Sequence, residues 1–236
     1  MIGFDRPIKP EWIYNILKEI KVGTNPTEYN KVFEDVAKEL TGKEGKRKAR
    51  TVIFRSFLYS FQEKRAPIEN NIFLDWVKQY SEHKLRPLFL AKLMMDHEVL
   101  RFITKKMQIS YDSQGYLSST VLTKKMQSEH GDRDVVKRSV RSFLKTLCHF
   151  GIIEEIQRQR FNHLNKVRLS EEQTKNFLLL YSKCYLKSEY LDLNNVDSNL
   201  TYFFEMPDLL KVANIYNNKC WSYIRDHTRA VLMMKG

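Results

Sequence analysis

The chain has 236 residues, 42% of them hydrophobic and 12% aromatic, which is enough apolar material for a packed core and excludes wholesale disorder. Eight Gly and six Pro are too few for an all-β protein built on many tight turns. Forty Lys and Arg against twenty-eight Asp and Glu leave a formal charge of +12, a surplus that points to a polyanionic partner, nucleic acid before membrane.

The first hundred residues read as helices. Pro10 suits a first turn, and Trp12, Ile13, Ile16, Leu17 and Ile20 follow at helical spacing until Gly23. Asn25-Pro26-Thr27 forms a turn and cap. Tyr29, Val32, Phe33, Val36, Ala37 and Leu40 then form a second stripe ending at Gly42. A third helix is expected over Lys46–Lys64, followed by helices at Asn70–Glu82, Arg86–Met95 and His97–Met107. Ser110–Gly115 has the composition of a linker. No internal repeat is visible.

Beyond the linker the pattern changes. Ser118-Ser119-Thr120 offers a cap ahead of Val121, Leu122 and Met126, and His130-Gly131-Asp132 a turn with Asp132 as the next N-cap. A helix over Arg133–Phe150 carries Val136, Val140, Phe143, Leu144 and Leu147 on one side. A strand over Ile152–Arg158, a turn at Asn162–Asn165 and a returning strand at Lys166–Leu169 complete the order of a winged helix-turn-helix. The expected fold is therefore mainly α: a helical bundle (1–110), a winged helix-turn-helix-like unit (116–170) and a helical extension (171–236). In the extension Glu171–Lys187 is helical, Leu191–Asn199 a polar connection and Pro207–Asn217 a short helix. Trp221–Arg225 and Arg229–Met233 would form a second β-hairpin.

The charge surplus is not spread evenly. Lys43–Arg65 holds net +6, Tyr116–Arg168 another +6, and the rest of the chain is neutral. In the first window Lys46, Arg47, Lys48 and Arg50 crowd a helix start, where positive charge opposes the helix dipole; local stability does not explain them, which raises the case for an external anion. In the second, Lys137, Arg138, Arg141 and Lys145 occupy a sector apart from the apolar stripe, and Arg133, Lys137 and Arg141 at four-residue steps could meet base edges or phosphates. Arg158, Arg160, Asn162, His163, Asn165 and Lys166 are expected at the hairpin tip, suited to backbone or minor-groove contact.

Signals for chemistry are missing. The cysteines stand singly at 148, 184 and 220, which fits neither a disulfide framework nor a zinc ribbon. There is no Gly-rich phosphate loop, HExxH or Gly-x-Ser-x-Gly. Glu19–Lys21, Glu44–Lys46 and Pro207-Asp208 echo fragments of a nuclease site but are in the wrong order. No catalytic residue, metal site or cofactor is expected. The opening Met1–Arg6 has no apolar run, and no stretch spans ~30 Å of hydrocarbon, so the expectation is a cytoplasmic, non-enzymatic protein that does not enter a membrane.

Asp96-His97-Glu98-Val99-Leu100-Arg101-Phe102, then Arg138-Ser139-Val140-Arg141-Ser142-Phe143-Leu144-Lys145 running into Phe150-Gly151-Ile152-Ile153, behind a basic helical N-terminal half, resembles the BrxA family, small accessory proteins of bacterial BREX phage-defence systems. The resemblance covers roughly residues 1–170. It implies a DNA-binding, mainly helical protein with helix-turn-helix character, acting beside a methyltransferase and other BREX proteins. The expected partner is double-stranded DNA, held largely through its phosphates without sequence preference. The alternatives are an adaptor whose winged unit docks an acidic protein, and an RNA-binding protein.

Overall fold

The computed structural model of the chain describes residues 3–62, 66–163, 166–226 and 228–235. The expected helix end at Lys64, the turn residues Leu164 and Asn165, and Arg65 and His227 lie outside the described residues. The protein is mainly helical, with small sheets in its second half.

The bundle is built from α1 (Pro10–Glu19), α2 (Tyr29–Val36), α3 (Lys43–Phe57), α4 (Ile72–Gln79) and α5 (Glu82–Asp96). Pro10 opens α1, and its stripe of Trp12, Ile13, Ile16 and Leu17 is buried as the spacing requires. Asn25 caps a short 3-10 turn through a capping box with Glu28. The third helix ends seven residues before the expected Lys64. There the chain turns so that Leu58 enters the core and the Ser60 hydroxyl reaches the ammonium of Lys92 at 2.9 Å. From Leu88 to Met95 α5 is buried on every side, as befits the central helix. Lys92 on it is completely buried, paired with Asp96 one turn on and lying 5.0 Å from the Phe61 ring centre.

α6 (Glu98–Gln114) runs straight through the expected linker and stops only at Gly115, whose φ of +68° ends the helix. The linker composition misleads here because Ser110 is buried and accepts a hydrogen bond from Lys125 of the next helix. Then come β1 (Leu117–Ser118), α7 (Ser119–His130), α8 (Asp134–His149), β2 (Ile153–Gln157) and β3 (Arg160–His163), with antiparallel order β1-β3-β2. The hairpin turns at Arg158-Gln159, Gln159 adopting φ +67°, and not at Asn162–Asn165. Asn162 and His163 are therefore strand residues, held there by pairing with Glu154 and Ile153. The expected returning strand is β4 (Val167–Arg168), which pairs in parallel with β6 (Phe204–Glu205) instead of closing the hairpin.

The remaining elements are α9 (Glu171–Leu180), continued by a π-helical stretch over Tyr181–Leu186, β5 (Tyr190–Asp192), α10 (Ser198–Thr201), α11 (Leu209–Ile215), β7 (Trp221–Arg225) and β8 (Ala230–Met234). The expected polar connection over Leu191–Asn199 thus holds parts of a strand and a helix, because Leu191 and Leu193 are buried. The second hairpin forms as expected. Its sheet has antiparallel order β5-β8-β7. Helix, short strand, two helices and hairpin therefore occur twice, α6 to β3 and again α9 to β8, with the short strand beside the last strand in both. No sequence repeat announces this, since the second copy's middle helices are only four and seven residues long.

The buried residues form one cluster running through all three segments. Its seam is the N-terminal stretch Phe4–Ile8. The Phe4 amide donates to Ser139 Oγ at 3.2 Å and the Ile8 amide to Thr146 Oγ1 at 2.9 Å, so the stretch lies along α8. The Phe4 ring meets His97 and Phe143 edge-on at 5.4 and 6.4 Å. Phe4→Ala removes these contacts and leaves a cavity, and should lower unfolding free energy by about 3–5 kcal/mol in urea titrations.

Burial, with Arg55, Lys92 and Arg101 nearby, pushes the His97 imidazole down to about 3. The unfolded chain then takes up the proton first. Stability should therefore fall as pH drops below about 6.5, by up to about 1.4 kcal/mol per pH unit until the folded value is reached. Burial pushes the neighbouring Asp96 carboxyl up, which acts in the opposite sense. The expected signature is thus the difference between chains: His97→Gln should flatten the acid limb of stability against pH measured in urea.

Candidate nucleic-acid interface

At ~100° per residue, α8 divides into three sectors. Val136, Val140, Phe143, Leu144 and Leu147 are buried in the core, as the spacing predicts. Ser139 and Thr146, seven residues apart, hold the N-terminal stretch. Lys137, Arg138, Arg141 and Lys145 fill a third sector about 100° wide that faces nearly opposite to those hydroxyls. Arg138, Arg141 and Lys145 are exposed, and among the described residues none has a carboxylate partner. Lys137 is paired with Asp132 at 2.7 Å. That contact corrects the expected cap. The N-cap position is Arg133, while the Asp132 carboxylate is taken by Lys137 and Gln127. Arg133 itself donates to the carbonyl of His130 at 2.8 Å, closing the end of α7.

Lys137, Arg141 and Lys145 line a groove of about 530 Å³ between α7, α8 and the hairpin. Its other wall contributes Lys124, which sequence reasoning missed. The signal was present: Thr120, Thr123, Lys124 and Gln127 recur at i, i+3, i+4, i+7, opposite the buried Leu122 and Met126. Glu155 is the carboxylate that lines the groove. Arg158 is exposed at the hairpin turn. Arg160 lies on the opposite strand face from Phe161, its guanidinium 5.0 Å from the Tyr116 ring centre. Lys166 sits beyond the hairpin, over the Tyr202 ring at 5.7 Å. His163 packs among Tyr111, Tyr202 and Phe203, so it serves the core and not the tip.

The cluster on α3 has a different character, and the expectation that nothing local explains it is corrected. Lys46 donates to the carbonyl of Glu34 in the last turn of α2, Arg47 pairs with Glu44 at 2.8 Å, and Lys48 pairs with Asp5 at 2.8 Å. Arg47 holds the Glu44 carboxyl below its ordinary range. Arg50, half-buried, has no carboxylate partner among the described residues. Lys48 reaches the N-terminal stretch, which occupies the back of α8, so the structure does not bring the two clusters onto one face. Two of the nuclease fragments are engaged locally: Glu44 pairs with Arg47, and Asp208 caps α11 through the Leu210 amide at 2.9 Å. Among the described residues, no group of three His, Cys, Asp or Glu could hold a metal ion, and no helix is long and apolar enough to cross a membrane.

Unpaired exposed cations attract a polyanion more strongly than cations already in ion pairs. Arg138→Ala with Arg141→Ala and Lys145→Ala should therefore lower the salt needed to elute the chain from heparin, whereas Arg47→Ala with Lys48→Ala should change it little. No protein-family model, curated protein or solved structure matches this chain.

Proposed function

We propose that α6 through β3 is a winged helix-turn-helix-like unit that binds double-stranded DNA, largely through phosphates and without strong sequence preference. The observation that carries this reading is the outward basic sector of α8, where Arg138, Arg141 and Lys145 are exposed and without a carboxylate partner among the described residues, beside the groove shared with Lys124. Lys137 to Lys145 spans about 12 Å of helix, and a B-form major groove is wide enough to admit an α-helix. Arg141 and Lys145 would meet phosphates, Arg138 the groove edge, and Arg158 the backbone beside the hairpin. Asp132 holds Lys137 until a phosphate competes for it. The paired residues of α3 are left out of this contact, as are Arg160 and Lys166, which are engaged with aromatic rings. The resemblance to the BrxA family supports placing the protein as an accessory component of a BREX phage-defence system.

Each phosphate neutralised on a duplex releases counterion, so log K should fall linearly with log salt, with a slope of about −0.9 per contact. Fluorescence anisotropy with unrelated duplexes should give similar affinities and one common slope. Changing Arg138, Arg141 and Lys145 together to Ala should make that slope shallower by up to about three contacts' worth. A slope unaltered by the substitutions, or a preference for single-stranded DNA or RNA, would overturn the reading.

A further inference from the structure

The second copy of the helix–strand–helix–hairpin order differs from the first in its charge. Residues 171–236 carry equal numbers of basic and acidic side chains, and Lys211 of α11, the counterpart of α8, is paired with Glu171 at 2.7 Å. Among the described residues, its middle helices α10 and α11 carry no free basic stripe. It has instead an open groove of about 560 Å³ between the start of α4, the end of α9 and the β5–β8 edge. Ile72, Leu179 and Met234 supply its apolar side, while Lys183, Lys187 and Lys235 stand around it against one carboxylate, Glu189. Among the described residues Lys183 and Lys187 have no carboxylate partner.

The backbone here is irregular. α9 widens into the π-helical turn Tyr181–Leu186, and Lys187 follows at φ +52°. Such turns and left-handed non-glycine residues carry a cost and recur at binding sites. On the same stretch Leu186 and Tyr190 are left exposed.

We propose that this groove docks an acidic amphipathic helix from a partner protein. Charge decides the sign of the occupant: a cationic surround on an otherwise balanced segment suits carboxylates. The apolar side decides its class, because a phosphate backbone has nothing to place against Ile72, Leu179 and Met234, whereas the apolar stripe of a helix does. The openness of the groove suits a helix lying along it and gives no enclosure for a lipid tail. The inference goes beyond DNA binding by α8 and does not depend on it.

The test uses the full chain and a display library of amphipathic helical peptides carrying acidic, neutral and basic polar faces. Selection on the wild-type chain, with counter-selection on Lys183→Glu/Lys187→Glu, should enrich acidic helices with Leu or Ile at i, i+4 spacing. A synthesised winner should bind about tenfold more weakly to that variant and to Leu179→Asp, with circular dichroism confirming that both variants fold. Neither a short DNA duplex nor anionic lipid vesicles should displace it, and duplex binding through α8 should be unchanged in both variants. No enrichment, enrichment of basic or neutral helices, equal binding by the variants, or displacement by duplex or vesicles would each overturn the proposal.

Discussion

The docking of Phe4–Ile8 against the back of α8 is the contact on which the rest of the arrangement depends. Two backbone amides need acceptors inside the protein, and the Ser139 and Thr146 hydroxyls provide them. These hydroxyls also bond back to carbonyls four residues earlier, Val135 and Ser142, so their orientation is set by the helix itself. With the apolar sector in the core and the hydroxyl sector occupied, α8 has one remaining side for water. That side holds Arg138, Arg141 and Lys145. The same stretch positions Asp5 for Lys48, so one short segment both presents the basic face of α8 and neutralises part of the other basic cluster.

Charge in this protein is therefore of two kinds. On α3, cations stitch elements together: Lys46 closes α2, Arg47 and Lys48 hold carboxylates, and deeper in the bundle Lys92 is sealed among Asp96, Ser60 and Phe61. A fully buried ammonium is tolerated only with such partners. On α8, Arg138, Arg141 and Lys145 are exposed and, among the described residues, have no carboxylate partner. The same residue types thus serve cohesion in one place and are available to an outside ligand in the other.

The repeated order of elements assigns similar scaffolds to different surfaces. The first unit has a sixteen-residue α8 with room for a long polar stripe, whereas α11 has seven residues and buries Val212 and Ala213. A short helix has too few turns to hold both a core face and a cationic face. The second unit's distinctive surface falls instead on the widened end of α9. Fold and surface chemistry vary independently here, as is common among small helical scaffolds.

Most helices were legible in the sequence, because the stripes of α1, α2 and α8 report burial directly and local spacing is all they need. The second hairpin was legible too, from its paired apolar runs. Ser110–Gly115 misled because composition does not reveal that Ser110 is buried. The first hairpin's turn was misplaced because Asn162 and His163 favour turns locally but are held by cross-strand pairing. Local order along the chain, which depends on residues a few positions apart, was thus the sequence's own contribution, together with the amphipathic division of α8. Which cations are free and which are paired was decided only in three dimensions, since Asp5 lies 43 residues from Lys48 and no local pattern encodes contact across that separation. The pairing of β4 with β6 and the recurrence of one topology belong to the tertiary structure for the same reason.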